Sequence, residues 1–100
     1  MRPLLPGELD VAARALLTVP MPERPAQIAR IIERAQRAER YHRATGRFHP
    51  GDGNGSLASA ARKRGVLPAR TVCDGAYLAA LKCVLDALLE IEAGEIRPRP

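Results

Sequence analysis

The chain has 100 residues, a mass of 10.8 kDa and a net charge of +5, which is the size of one domain. Apolar residues make up 46% of it, but 17 of them are alanine and only 3% of the chain is aromatic, so few large side chains can fill a core. No run of 18 apolar residues could span a membrane, we expect no secretory signal, and two cysteines are too few for a disulfide framework.

The first predicted helix covers residues 7–19. Leu9, Ala12 and Leu16 recur there at helical spacing, and prolines end the pattern at residues 20 and 22. Because the connection is short, we expect the next helix to fold back against this one.

The second predicted helix is the longest, from residue 23 or 24 to residue 45, with Gly46 as its C-cap. Glu33 and Glu39 each stand four residues before an arginine, in the favourable order for ion pairs. Its apolar face is formed by Ile28, Ile31, Ile32, Ala35, Ala38 and His42.

A Gly-rich loop at residues 46–56 precedes a short predicted helix, residues 57–64, which Ser56 caps. After a linker, Asp74 caps a last helix that runs to about residue 93.

The pattern therefore predicts an all-α fold: a compact bundle of three main helices plus one short helix after the Gly-rich loop. We expect a single helical domain over residues 1–94 and a flexible C-terminal tail over residues 95–100.

The Gly-rich loop suggests one anion-binding hypothesis, because backbone N–H groups at Gly53, Gly55 and Ser56 precede a helix. The spacing fits neither a P-loop nor an EF-hand. The alternative is that these glycines serve only the geometry of the connection.

The sequence offers no motif for metal, cofactor or catalysis. His42, His49, Cys73 and Cys83 lack the compact spacing of a zinc site. Serine, histidine and aspartate occur together only in the Gly-rich loop, whose composition explains them. We therefore expect a non-enzymatic interaction or regulatory protein without metal or cofactor.

Arginine supplies 14 of the 16 basic residues, and its planar fork of donors suits phosphates and carboxylates. An arginine-rich face is therefore the predicted contact for nucleic acid or for an acidic protein surface. The alternative is a solvated helix face partly neutralised by nearby glutamates. The predicted binding residues are Arg34, Arg37, Arg40, Arg43, Arg47, Arg62, Lys63 and Arg64.

A degenerate helix-turn-helix is a second route to DNA binding, since Ala61 and Gly65 have the four-residue spacing of such turns. Pro68 and the Asp74-Gly75 pair count against it, because they would interrupt the recognition helix.

The last predicted helix carries a leucine seam at the spacing of packed helices. We expect it to mediate a homodimer, and the alternative is that the whole apolar arc packs within one monomer. The seam consists of Leu78, Leu81, Leu85, Leu88 and Leu89.

Residues 38–50, which read Ala-Glu-Arg-Tyr-His-Arg-Ala-Thr-Gly-Arg-Phe-His-Pro, carry a resemblance together with Gly-Asn-Gly-Ser-Leu-Ala-Ser-Ala-Ala at residues 53–61 and the first nine residues. The chain resembles a family of small hypothetical proteins from Rhodobacter-type alphaproteobacteria. The resemblance implies a bacterial, cytoplasmic protein and brings no site residues. It leaves a further alternative, a protein–protein adaptor encoded in a prophage-like or gene-transfer-particle locus.

Overall fold

A computed structural model describes residues 3–63 and 74–96 of the chain, with side chains up to residue 93. Its helices are α1 (Pro6–Leu16), α2 (Arg24–Thr45), α3 (Leu57–Arg62) and α4 (Gly75–Ile96), and a single 3-10 turn at Met21–Glu23 precedes α2. The predicted all-α fold, with three main helices and one short helix after the Gly-rich loop, is confirmed.

Helix α1 ends earlier than the sequence predicted. It stops at Leu16 instead of residue 19, and the chain turns before Pro20. The Nε–H of Arg24 donates to the carbonyl oxygens of Leu16 at 3.0 Å and Val19 at 2.9 Å. This side chain satisfies carbonyls that the helix end leaves without intrahelical partners, so α1 is capped by the start of α2.

Helix α2 has the predicted bounds. Gly46 adopts a φ of 72°, and its N–H closes the helix on the carbonyl of His42 at 2.8 Å. Both predicted ion pairs form, from Glu33 to Arg37 at 3.6 Å and from Glu39 to Arg43 at 3.3 Å. The predicted apolar face is buried, apart from the half-buried His42.

The short helix α3 lies between α1 and α2. It packs against both, so α1 touches α2 over a shorter stretch than the expected antiparallel hairpin would give. Leu57, Ala60 and Ala61 are its fully buried residues. The carboxylate of Glu8 joins the starts of α1 and α3, because it accepts the N–H of Leu5 at 2.9 Å and the N–H of Ala58 at 3.3 Å.

Helix α4 begins where the sequence predicted, because Asp74 Oδ1 accepts the N–H groups of Ala76 at 2.9 Å and Tyr77 at 3.3 Å. It continues to Ile96, through Gly94 and past its predicted end at about residue 93. A glycine inside a helix costs only about 1 kcal/mol relative to alanine, which is too little to end a helix on its own.

Small side chains make up much of the core, which draws on all four helices. Alanines let the helices approach closely, and the few large side chains each fill a substantial share of the interior. The largest fully buried ones are Leu16, Ile28, Ile31, Ile32, Leu57 and Val84. Within the described part of the chain, no helix is long and apolar enough to cross a membrane.

Candidate functional site

The Gly-rich loop is fastened to α2 by one bidentate ion pair. Arg37 donates from Nε to Asp52 Oδ2 at 2.6 Å and from Nη2 to Asp52 Oδ1 at 3.3 Å. The Asp52 side chain is 10% exposed, and the hydrogen bond from Arg37 lowers the pKa of its carboxyl group against the opposing effect of burial. The loop is therefore held to the helix that carries most of the predicted arginine face.

His49 organises the tip of the loop. Its Nδ1 accepts the N–H groups of Gly51 at 3.0 Å and Asp52 at 2.9 Å, so the neutral ring carries its proton on Nε2. The ring also meets Tyr41 edge-on, with centroids 5.0 Å apart. Nδ1 also lies 3.6 Å from Asp52 Oδ2, beyond hydrogen-bond distance, whereas the histidine of a Ser–His–Asp triad donates a proton-bearing nitrogen to its aspartate.

Two glycines let the loop close onto the helices. Gly53 and Gly55 have φ values of 89° and 90°. A Cβ at Gly53 would overlap Ser59 Oγ, and one at Gly55 would lie 2.6 Å from Glu39 Oε2. The loop thus approaches α3 and α2 more closely than a side chain would permit.

The same contacts use N–H groups that the anion-binding hypothesis needs. The N–H of Gly53 donates to the His49 carbonyl at 3.1 Å, and that of Ser56 donates to Asn54 Oδ1 at 2.9 Å. The Ser56 hydroxyl accepts the N–H of Ser59 at 3.1 Å, as an N-cap. The N–H groups of Gly53 and Ser56 therefore serve the closure of the loop, and anion binding at Gly53, Gly55 and Ser56 stays a prediction.

The predicted basic residues fall into three groups. Arg37 and Arg43 are neutralised by acidic neighbours, and the half-buried Arg34 lies in the field of Asp52. Arg64 lies outside the described residues, as does the turn of the helix-turn-helix alternative. The third group, here called the open cations, is exposed and has no acidic side chain within ion-pair distance among residues 3–63 and 74–93: Arg40, Arg47, Arg62 and Lys63.

The open cations come from two neighbouring segments. Arg40 and Arg47 belong to the C-terminal half of α2 and the residues after it, while Arg62 and Lys63 end α3. The loop leading into α3 packs on Glu39, and six helical residues span only about 9 Å, so the basic end of α3 stays close to α2.

The predicted leucine seam of α4 is divided by the fold. Leu81 and Leu88 are half-buried and pack against the core. Leu78, Leu85 and Leu89 remain exposed, at 46%, 40% and 65%, on one face of the helix.

The chain is a small all-α protein in which a short helix packs between the first two of three longer helices, and the described residues include no group of three potential metal ligands. It belongs to the family of a domain of unknown function, DUF7742, whose profile matches residues 2–88. No curated protein and no solved structure matches the chain.

Proposed function

We propose that this protein is a non-enzymatic interaction protein of the bacterial cytoplasm that contacts nucleic acid through the open cations. The observation that carries the proposal is their lack of acidic partners within the described chain, beside arginines of the same helix that are neutralised. An arginine without a carboxylate partner retains its donors for phosphate, and each phosphate contact releases condensed counterions. The resemblance to alphaproteobacterial proteins supports the bacterial and cytoplasmic part of the proposal.

The fold supports a binding surface of this kind because the helix and the loop that carry Arg40 and Arg47 are held in place. Arg40 sits on a 22-residue helix, and the loop after that helix is tied down through Asp52 and His49. Fixed cations lose less conformational entropy on binding than those on a free tail.

The test compares two charge-matched triple variants in binding to duplex DNA over a range of salt concentrations. Replacing Arg40, Arg47 and Arg62 by glutamine should weaken binding and reduce the slope of log K against log salt by about 0.9 per lost phosphate contact. The control replaces Arg2, Arg97 and Arg99 by glutamine, which removes the same charge. Thermal unfolding should be nearly unchanged in both, because surface substitutions shift stability by about 0.5 kcal/mol or less.

Equal losses in the two triples would show that net charge alone attracts DNA and would refute the interface. Salt-sensitive binding to an acidic protein instead of DNA would favour the alternative partner, an acidic protein surface.

Self-association is a second candidate property, favoured by the exposed stripe of Leu78, Leu85 and Leu89. Seven- and four-residue spacing places such leucines on one seam, and a second copy of α4 would remove them from water. Leu89→Glu should shift a dimer to monomer in sedimentation equilibrium with its helical content unchanged. A wild-type protein that is monomeric at high concentration and low salt would refute the dimer.

A further inference from the structure

A groove of about 550 Å³ separates α2 from α4. Its floor is apolar and includes the buried Ile28 and Ile32 together with Ala87. Glu33 and Glu90 stand at its edges and are exposed. We propose that this groove docks a basic amphipathic helix of another protein.

The shape of the groove fits a row of side chains. Its lining extends over residues 25–36 of α2 and 79–91 of α4, which correspond to about 16–18 Å of helix. A helix lying on the groove would insert one ridge of side chains, at i, i+3 or i+4, and i+7.

Charge selects the kind of helix. The chain is basic overall, yet α4 carries one lysine against four acidic residues. Lys82 is already paired with Asp86 at 2.8 Å, which leaves Glu90 to face a ligand. Across the groove, Glu33 lies 3.6 Å from the guanidinium group of Arg37. Arg37 is closer to Asp52, at 2.6 Å, so it neutralises Glu33 only in part. Lysines and arginines beside the inserted ridge would pair with these carboxylates, whereas an acidic helix would place like charges beside them.

A second copy of this chain does not supply such a helix from its described residues. The exposed side of α2 is basic but carries no exposed large apolar side chain. The apolar stripe of α4 lies on an acidic helix, which has the same sign as the groove edges. Neither of these two helix faces combines exposed large apolar side chains with basic charge, which is why we propose a different protein as the occupant.

Cys83 provides the readout, because its half-buried thiol lines the groove. In a Cys73→Ser background it is the only thiol, since the chain has two cysteines. The probe is a designed 18-residue peptide with leucines at i, i+3, i+4 and i+7 and lysines elsewhere, and its twin carries glutamates in place of the lysines. We expect the lysine peptide to slow alkylation of Cys83 about tenfold or more at saturation and the glutamate twin to give no protection.

Two double variants that remove the same charge distinguish binding in the groove from non-specific electrostatic attraction of the peptide. Glu33→Gln with Glu90→Gln should weaken the lysine peptide about fivefold or more. Glu23→Gln with Glu92→Gln removes the same charge from exposed positions that do not line the groove, and should change affinity less than about twofold. Ala29→Trp occupies the groove from an exposed position and should prevent protection of Cys83.

Equal effects of the two glutamine pairs would refute the proposal, as would protection by the glutamate twin or no protection at all. Protection of Cys83 that rises with protein concentration alone would assign the groove to a second copy and would equally overturn the proposal. None of these variants alters an open cation, so loss of peptide binding and loss of DNA binding are separate results.

Discussion

Substituting alanine for single glycines tests how tightly the Gly-rich loop closes on α2. At Gly55, φ is 90° and a Cβ would lie 2.6 Å from Glu39 Oε2 and 3.1 Å from Glu39 Cα. At Gly46, φ is 72° but no atom lies within 4 Å of the added Cβ. Gly75, in the first turn of α4, has neither a positive φ nor a neighbour within 4 Å. The three positions therefore separate backbone strain from steric overlap.

The expected costs follow from these differences. A left-handed φ costs an L-residue about 1–2 kcal/mol, and the stiffer unfolded chain returns about 0.4–1 kcal/mol, so Gly46→Ala should destabilise by about 1 kcal/mol. Gly55→Ala adds overpacking of about 1–3 kcal/mol because the backbone of α2 must also give way, for a total of about 2–4 kcal/mol. Gly75→Ala should stabilise by about 0.4–1 kcal/mol.

Thermal unfolding followed by circular dichroism measures the series. At about 4–8 °C per kcal/mol for a domain of this size, Gly46→Ala should lower Tm by about 4–8 °C and Gly55→Ala by about 8 °C or more. Gly75→Ala should raise Tm by a few degrees. If Gly55→Ala and Gly46→Ala lower Tm equally, the loop does not press on Glu39, and the close approach deduced from the geometry is refuted.

Three further predictions concern polar contacts. The lowered pKa of Asp52 contributes stability above its unfolded-state pKa of about 4, and this stability is lost as the pH falls through the lower folded-state pKa. The gap in urea midpoint between wild type and Asp52→Asn should therefore narrow as the pH falls below about 4; a constant gap would contradict the ion pair with Arg37. Tyr77→Phe removes a 2.8 Å hydrogen bond to the carboxylate of Asp10 and should cost about 1–2 kcal/mol in urea unfolding, whereas no change would mean that the contact is solvated. Arg24→Met keeps the apolar stem but removes the two hydrogen bonds to the carbonyls of Leu16 and Val19, and should lower stability by about 1 kcal/mol; unchanged stability would mean that these bonds contribute nothing to holding the end of α1.

Local patterns were enough to predict α2 and its ion pairs. The isoleucines recur at helical spacing, Gly46 can adopt the left-handed conformation that a C-cap requires, and Glu33 and Glu39 pair with arginines one turn away. Each of these signals lies within a few residues, where the geometry of the helix fixes the distances. The same is true of the caps at Ser56 and Asp74.

Contacts between distant segments were not predictable. Asp52 lies in a loop, 15 residues from Arg37, and its sequence context does not distinguish it from an ordinary turn aspartate. Glu8 reaches Ala58 across 50 residues, although its place in the first turn of α1 suggested only a favourable helix dipole. The division of the basic residues into neutralised residues and open cations depends on such contacts. The sequence therefore identified the candidate arginines but could not show which of them have acidic partners.

The two proposed binding surfaces carry charges of opposite sign on different helices. The basic residues concentrate on α2 and at the end of α3, while α4 is acidic, so the net charge of +5 conceals two fields of opposite sign. The field of the open cations attracts phosphates, and the acidic edges of the groove repel them, so a nucleic acid bound at the first surface leaves the second accessible. If both proposals hold, replacing Arg40, Arg47 and Arg62 by glutamine should weaken DNA binding without weakening protection of Cys83 by the lysine peptide. Loss of both would mean that the two ligands share one site, and it would remove the assignment of separate roles to α2 and α4.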